Sequence, residues 1–129
     1  MSGLERADVI GFASTTDLAR ARAFFEGRLG LTCTHEDGFA VVFDANGTTV
    51  RVSLVEELHP APFTILGWRV DDITATARTL AARGLEFLRF DGMDQDADGV
   101  WSAPGGGRVA WFYDPDGNTL SLTEFGGSA

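Results

Sequence analysis

The sequence predicts an α+β fold in which two β-α-β-β-β modules form a cupped mixed sheet with helices on its outer face. Short apolar runs alternate with a period of two, and two amphipathic helical segments follow such runs. The same order of elements then occurs twice in 129 residues. We expect a single domain over residues 1–129, with modules at about 7–55 and 63–125 and a linker at 56–62.

The first module opens with an apolar run at residues 9–14, which predicts a strand. Asp17 can cap the helix that follows from Leu18 to Leu29, and Gly30 is placed to end that helix. Three further strands are predicted at 31–36, 39–44 and 48–55, the last two joined by the hairpin signal Asn46-Gly47.

The second module repeats this order. A strand at 63–70 leads through Asp71-Asp72 into a helix at 73–83, which Gly84 ends. Strands are predicted at 85–90, 100–103, 108–114 and 119–125, with an insertion near residues 91–107. The sequence Asp114-Pro115-Asp116-Gly117-Asn118 predicts the turn of a C-terminal hairpin, because these residues suit a tight chain reversal.

Composition excludes several function classes. The net charge is −9 and all ten basic residues are arginine, which opposes binding to nucleic acid or to an anionic membrane surface. No apolar run approaches the roughly 20 residues of a membrane span, and residues 1–5 do not resemble a signal peptide. The single cysteine, Cys33, fits a reducing compartment, so we expect a cytoplasmic protein.

The two modules, the helix phrase ending in Leu29-Gly30-Leu31 and the turn at residues 114–118 together resemble the vicinal oxygen chelate superfamily, which includes glyoxalase I, bleomycin-resistance proteins and extradiol dioxygenases. Metal-dependent members take one His, Gln or Glu from each of four strands. The resemblance places those positions at Ile10, Arg51, Ile65 and Ser121, which are not a plausible ligand set. We therefore expect no metal and no cofactor.

Six residues are candidates for ligand binding. Arg51 and Ser121 occupy equivalent positions in the two modules, on strand faces expected to line one cavity. Trp101 follows the acidic insertion, and Arg69 alternates with a tryptophan, although a solvent-facing arginine is an equal alternative. The full candidate set is Phe12, Arg51, Arg69, Trp101, Trp111 and Ser121.

The resemblance implies a metal-independent protein of the glyoxalase and bleomycin-resistance type, which holds a small molecule in the cup between its modules. The alternative is a lyase, isomerase or dioxygenase-like enzyme acting on a small carbonyl or phenolic compound, with a divalent metal at residues such as Glu124 or His59. A subunit that binds only a protein partner is a third possibility. A calcium loop at residues 94–99 is disfavoured, because the twelfth position is Gly105. We also expect a homodimer, joined through the helices or the linker.

Overall fold

The computed structural model describes residues 3–126, and the chain divides into two compact units with the boundary between Leu58 and His59. This boundary lies inside the segment predicted as a linker. Each unit contains one four-stranded mixed sheet, which confirms the α+β class and the two β-α-β-β-β modules. That the two form a single domain stays a prediction. Within residues 3–126, no helix has the length and apolar character needed to cross a membrane.

The first sheet has the strand order β1-β4-β3-β2. Strand β1 pairs in parallel with β4, and the other neighbours are antiparallel. Its core is made by residues that alternate toward the helix, among them Phe43, Val41 and Val52, all with no exposed surface. The strands are β1 (Ile10–Thr15), β2 (Thr32–Glu36), β3 (Ala40–Ala45) and β4 (Thr48–Leu54).

The first helix changes its hydrogen-bonding pattern partway. Asp17 caps its start by accepting from the Arg20 amide at 3.1 Å, and α1 (Leu18–Arg22) continues as a π-helical turn over Ala23–Arg28. In this turn the Leu29 amide donates to the Phe24 carbonyl, five residues back, at 3.1 Å. The predicted continuous α-helix from Leu18 to Leu29 is therefore wrong in its second half, although its start at Leu18 is confirmed.

The second sheet has the strand order β5-β8-β7-β6, with β5 parallel to β8. Its helix is capped by Asp72, whose carboxylate accepts from the Ala75 amide at 3.1 Å. Gly84 follows the helix with a φ of 93°, as expected of a residue that ends a helix. The elements are β5 (Thr64–Arg69), α2 (Ile73–Ala82), β6 (Trp101–Ser102), β7 (Arg108–Tyr113) and β8 (Thr119–Glu124).

Residues 85–90 do not form the predicted strand. Their backbone meets the sheet at an isolated bridge between Phe87 and Phe112 and at a hydrogen bond from the Leu88 amide to the Trp111 carbonyl at 2.8 Å. Residues 86–100 form an irregular segment, which we call the inserted loop. The sheet edge is formed instead by the two-residue strand β6.

The Gln95 side chain makes three of the hydrogen bonds that hold the inserted loop in its shape. Its amide oxygen accepts from the Phe90 amide at 2.8 Å, and its amide nitrogen donates to the Leu88 and Gly99 carbonyls at 2.9 Å each. One side chain thus satisfies three backbone groups, two of which the predicted strand would have paired with a neighbour. An ordered loop replaces the strand for this reason.

Candidate functional site

The second sheet has one face packed against its helix and one open face. Phe112, Leu120 and Leu122 are buried on the helix side, where α2 packs against β7 and β8. Trp68 lies on the same side and stacks on Phe112 with ring centroids 6.4 Å apart. Side chains alternate along strands, so Ser121 and the residues in register with it point to the open face.

Ser121 lies at the centre of that open face. It is in register with Trp111 on β7 and with Gly67 on β5. Only 6% of the residue is exposed, and its hydroxyl makes no hydrogen bond to any residue between 3 and 126. Every side-chain nitrogen or oxygen in this range that is fully shielded from solvent has a partner. The Ser121 hydroxyl therefore reaches the solvent through a small opening.

Gly67 provides that opening. A Cβ atom built on Gly67 would lie 3.0 Å from the Ser121 Oγ and 3.3 Å from the Ser121 carbonyl oxygen. The hydroxyl thus borders the space that any side chain at this position would fill. We call this space the Gly67 notch. A glycine inside a strand often marks a place where a ligand or another backbone approaches closely.

Aromatic side chains stand on one side of the notch. Trp111, in register with Ser121, meets Phe90 edge-to-face at 5.5 Å between ring centroids and Trp101 at 6.1 Å with a tilt of 38°. Phe90 comes from the inserted loop and Trp101 from β6. The structure therefore brings two of the sequence candidates, Trp101 and Trp111, onto the face that carries Ser121.

Arg69 lies farther along β5, two residues beyond Gly67 and on the same face. Its guanidinium carbon lies 4.3 Å from the centroid of the Phe125 ring, which positions the group by a cation–π contact. Within residues 3–126, Arg69 makes no ion pair and donates no hydrogen bond. The guanidinium of Arg69 is thus positioned by an aromatic ring, and no carboxylate neutralises its charge within the described residues.

Phe12 and Arg51 belong to the first sheet. They are in register on β1 and β4, on the face opposite the buried Val50 and Val52. Phe12 is 58% exposed, and Arg51 has no ion pair or hydrogen-bond partner in the described part of the chain. The first sheet thus also presents an aromatic ring beside an uncompensated arginine.

The positions that resemble the metal-ligand set do not fit a divalent metal. Ile10 and Arg51 lie on the open face of the first sheet, Ile65 occupies a β-bulge, and Ser121 supplies only a hydroxyl. Across residues 3–126, no three His, Cys, Asp or Glu side chains are grouped so as to hold a metal ion.

The alternative acidic ligands have structural partners. Glu124 accepts a hydrogen bond from the Ile73 amide at 3.0 Å, at the start of α2, and lies 3.7 Å from Arg108. In the calcium-like segment, Asp96 accepts from two backbone amides of its own loop, and Asp98 pairs with Arg78 at 3.2 Å. These carboxylates shape the loop and the helix start.

A second concavity, of about 190 Å³, lies between α2 and the inserted loop. Its polar residues are already engaged: Arg89 donates to the Ala97 carbonyl at 2.8 Å, and Asp98 is paired with Arg78. It offers no uncompensated group to orient a ligand. The open face of the second sheet is the better candidate, because Ser121 and Arg69 are both available there.

The turn at residues 114–118 fixes the hairpin that carries Trp111 and Ser121. The Asp114 carboxylate accepts from the Asp116 and Asn118 amides at 2.9 Å and from the Asn118 side chain at 2.7 Å. Burial raises the pKa of Asp114 above its ordinary 3.8, and the three hydrogen bonds oppose that rise. The Asp114 carboxylate thus holds the turn, although burial of its negative charge costs free energy.

Sequence reasoning missed Gly67, Phe90, Phe125 and Gln95. Gly67 had a usable signal, since a glycine inside a strand run is unusual. Phe90 was expected in a strand, and nothing in the local sequence indicates that Gln95 folds back onto its own loop. Phe125 follows the alternation of β8, but its contact with Arg69 depends on how β5 and β8 pair.

The protein belongs to the Glyoxalase/Bleomycin resistance protein/Dioxygenase superfamily, whose family model matches residues 8–122. This confirms the resemblance noted in the sequence. No match is found among curated protein sequences.

Solved structures share the fold at low sequence identity. A superfamily member from Sphaerobacter thermophilus is 22% identical with a TM-score of 0.73, covering 95% of this chain and 100% of its own. Lactoylglutathione lyase from Agrobacterium tumefaciens is 17% identical with a TM-score of 0.73, covering 95% and 96%. The fosfomycin resistance protein FosX from Listeria monocytogenes is 16% identical with a TM-score of 0.71, covering 97% and 94%. At such identities these likenesses establish the fold alone.

Proposed function

We propose that this protein binds a small organic molecule without a metal ion, on the open face of its second sheet. The observation that carries the proposal is the Ser121 hydroxyl, which is buried, unpartnered and directed into the Gly67 notch. A few polar groups set among apolar and aromatic walls are typical of small-molecule sites. Ser121 and Arg69 supply the polar groups, and Trp101 and Trp111 supply the wall.

We propose Arg51 and Phe12 as ligand-binding residues on the open face of the first sheet. Their support is the uncompensated charge of Arg51 beside an exposed ring. The proposal for the second sheet does not depend on them. An Arg51→Ala variant that binds every ligand as the parent does would remove this role.

The test is a fragment screen on protein purified without chelators, followed by ligand-observed NMR and tryptophan fluorescence. Hits should bind equally well after treatment with EDTA. Binding should weaken in Ser121→Ala, which removes the hydroxyl without adding volume, and not in Ser102→Ala on the exposed edge strand β6.

Two results would contradict the proposal. One is stoichiometric, tightly bound iron, nickel, zinc or manganese whose removal abolishes binding. The other is an absence of any hit that depends on Ser121. Catalytic turnover of a hit would instead support the alternative function, a lyase, isomerase or dioxygenase-like enzyme.

A further inference from the structure

We infer that the ligand of the open face is a flat aromatic acid, with its ring on the Trp111 side of the Gly67 notch and its anionic group on Arg69. This inference rests on the proposed function and adds the chemical class of the ligand. It draws on the placement of an aromatic wall, a hydroxyl and a cation around one unfilled space.

The aromatic wall favours a flat ring. Trp111 contacts Phe90 through a perpendicular edge-to-face arrangement and Trp101 at a tilt, so its flanks are occupied by rings. Aromatic pairs prefer offset-stacked or edge-to-face geometry, and a ligand ring adds a further such pair. An aliphatic ligand of equal size would bury area without that contribution.

The spacing of the strands sets the size of the ligand. Gly67, Ser121 and Trp111 lie on three adjacent strands, so Gly67 and Trp111 are separated by about 10 Å. A ligand of one or two fused rings fits this span. Because Gly67 has no side chain, the ring can pass over the backbone there and reach the Ser121 hydroxyl.

The charge is supplied by Arg69. It lies two residues from Gly67 on the same strand, about 7 Å along β5. The Phe125 ring lies 4.3 Å from the guanidinium carbon, and no described acidic residue neutralises the charge. In a protein with a net charge of −9, a positioned arginine without a carboxylate partner favours an anion supplied from outside.

The experiment compares three probes that differ in whether they carry an aromatic ring and a negative charge. 2-Naphthoate carries both the ring and the charge, 2-naphthamide carries the ring alone, and cyclohexanecarboxylate carries the charge alone. We expect 2-naphthoate to bind at least tenfold more tightly than either of the others, measured by calorimetry and by quenching of tryptophan fluorescence.

Variants separate the charge from the ring. Arg69→Gln should reduce 2-naphthoate affinity to that of 2-naphthamide and leave 2-naphthamide unchanged. Arg69→Lys should restore part of the preference for the acid. Arg6→Gln is the matched control, because Arg6 is an exposed arginine of the first unit, and it should change neither affinity.

The outcomes distinguish a failure of this inference from a failure of the proposed function. Equal affinity for 2-naphthoate and 2-naphthamide, or an unchanged affinity in Arg69→Gln, would overturn the assignment of an acid. Preference for cyclohexanecarboxylate would overturn the aromatic assignment. If none of the probes binds while other fragments bind in a Ser121-dependent way, the inference fails and the proposed function stands. If no fragment binds at all, both fail.

Discussion

Gly67→Ala is the most direct perturbation of the candidate site, because it adds one methyl group to the notch and changes nothing else. The added carbon would lie 3.0 Å from the Ser121 Oγ, which can rotate, and 3.3 Å from the Ser121 carbonyl oxygen, which cannot. A shift of a few tenths of an ångström relieves both contacts. Gly67 has no positive φ, so alanine is tolerated by the backbone.

The expected change in stability is small. Replacing glycine by alanine at a compatible position gains about 0.4–1 kcal/mol by restricting the unfolded chain. The tight contacts offset part or all of this gain, so the free energy of unfolding should stay within about 1 kcal/mol of the parent. Urea unfolding measures it directly.

The expected change in binding is large by comparison. The methyl group occupies the space in which the ligand meets the Ser121 hydroxyl, and loss of that hydrogen bond alone costs about 0.5–1.5 kcal/mol. Displacement of the ring adds to this, so 2-naphthoate affinity should fall at least tenfold, which corresponds to about 1.4 kcal/mol.

Gly105→Ala is the matched control, since a Cβ at Gly105 meets nothing within 4 Å in the turn before β7. It should leave binding unchanged. If Gly67→Ala folds normally and binds 2-naphthoate as the parent does, the notch is not where the ligand sits. If the variant loses more than about 2 kcal/mol of stability, the space is tightly packed and the notch does not exist.

Four further results are expected. The His35 ring lies 2.9 Å from the Asp37 carboxylate, and together with two backbone amides it lowers the Asp37 pKa from 3.8 to about 2. NMR titration of Asp37 should therefore show a midpoint near pH 2, and this midpoint should rise in His35→Gln. Because the folded pKa is lowered, this contribution to stability is present above pH 3.8 and is lost as the pH falls toward about 2; the pair is exposed, so added salt should weaken it. The opposite sign holds for Asp114, because burial raises its pKa above 3.8. The free energy of unfolding should therefore decline as the pH rises through the raised pKa, and Asp114→Asn should remove this decline. Unfolding at several pH values measures both. Gln95→Ala leaves three backbone groups without their partner and should cost about 1–3 kcal/mol, with faster proteolysis between residues 86 and 100 and a loss of the Phe90 contact with Trp111. Light scattering should give twice the chain mass of 13.8 kDa, and a mass of one chain across a range of salt would contradict the predicted homodimer.

Local sequence chemistry was sufficient to predict most of the fold. The cap at Asp17, the φ of 82° at Gly30 and the turn at residues 114–118 are each governed by a few neighbouring residues. Alternation along β4 and β8 then placed Arg51 and Ser121 on the faces away from the helices. In each case the determining contact lies within a few residues along the chain.

The missing strand at residues 85–90 has a physical cause, which is a side chain that forms hydrogen bonds a sequence pattern cannot reveal. Residues 85–90 have the composition of a strand, yet Gln95 takes the amide of Phe90 and the carbonyl of Leu88 that pairing in a sheet would have used. The candidate site shows the same limit. Arg69 was correctly separated from Trp68 by alternation, but its contact with Phe125 depends on the pairing of β5 with β8.

The π-helical turn shows where the first module accommodates a difference in chain length. Asp17 and Gly30 are one residue farther apart than their counterparts Asp72 and Gly84, and the wider turn accommodates that residue without displacing either end. Gly27 lies within the turn, and a Cβ there would meet nothing within 4 Å. An insertion held inside a helix leaves the strand that follows in register, so the two modules could diverge in length while each kept its open face intact.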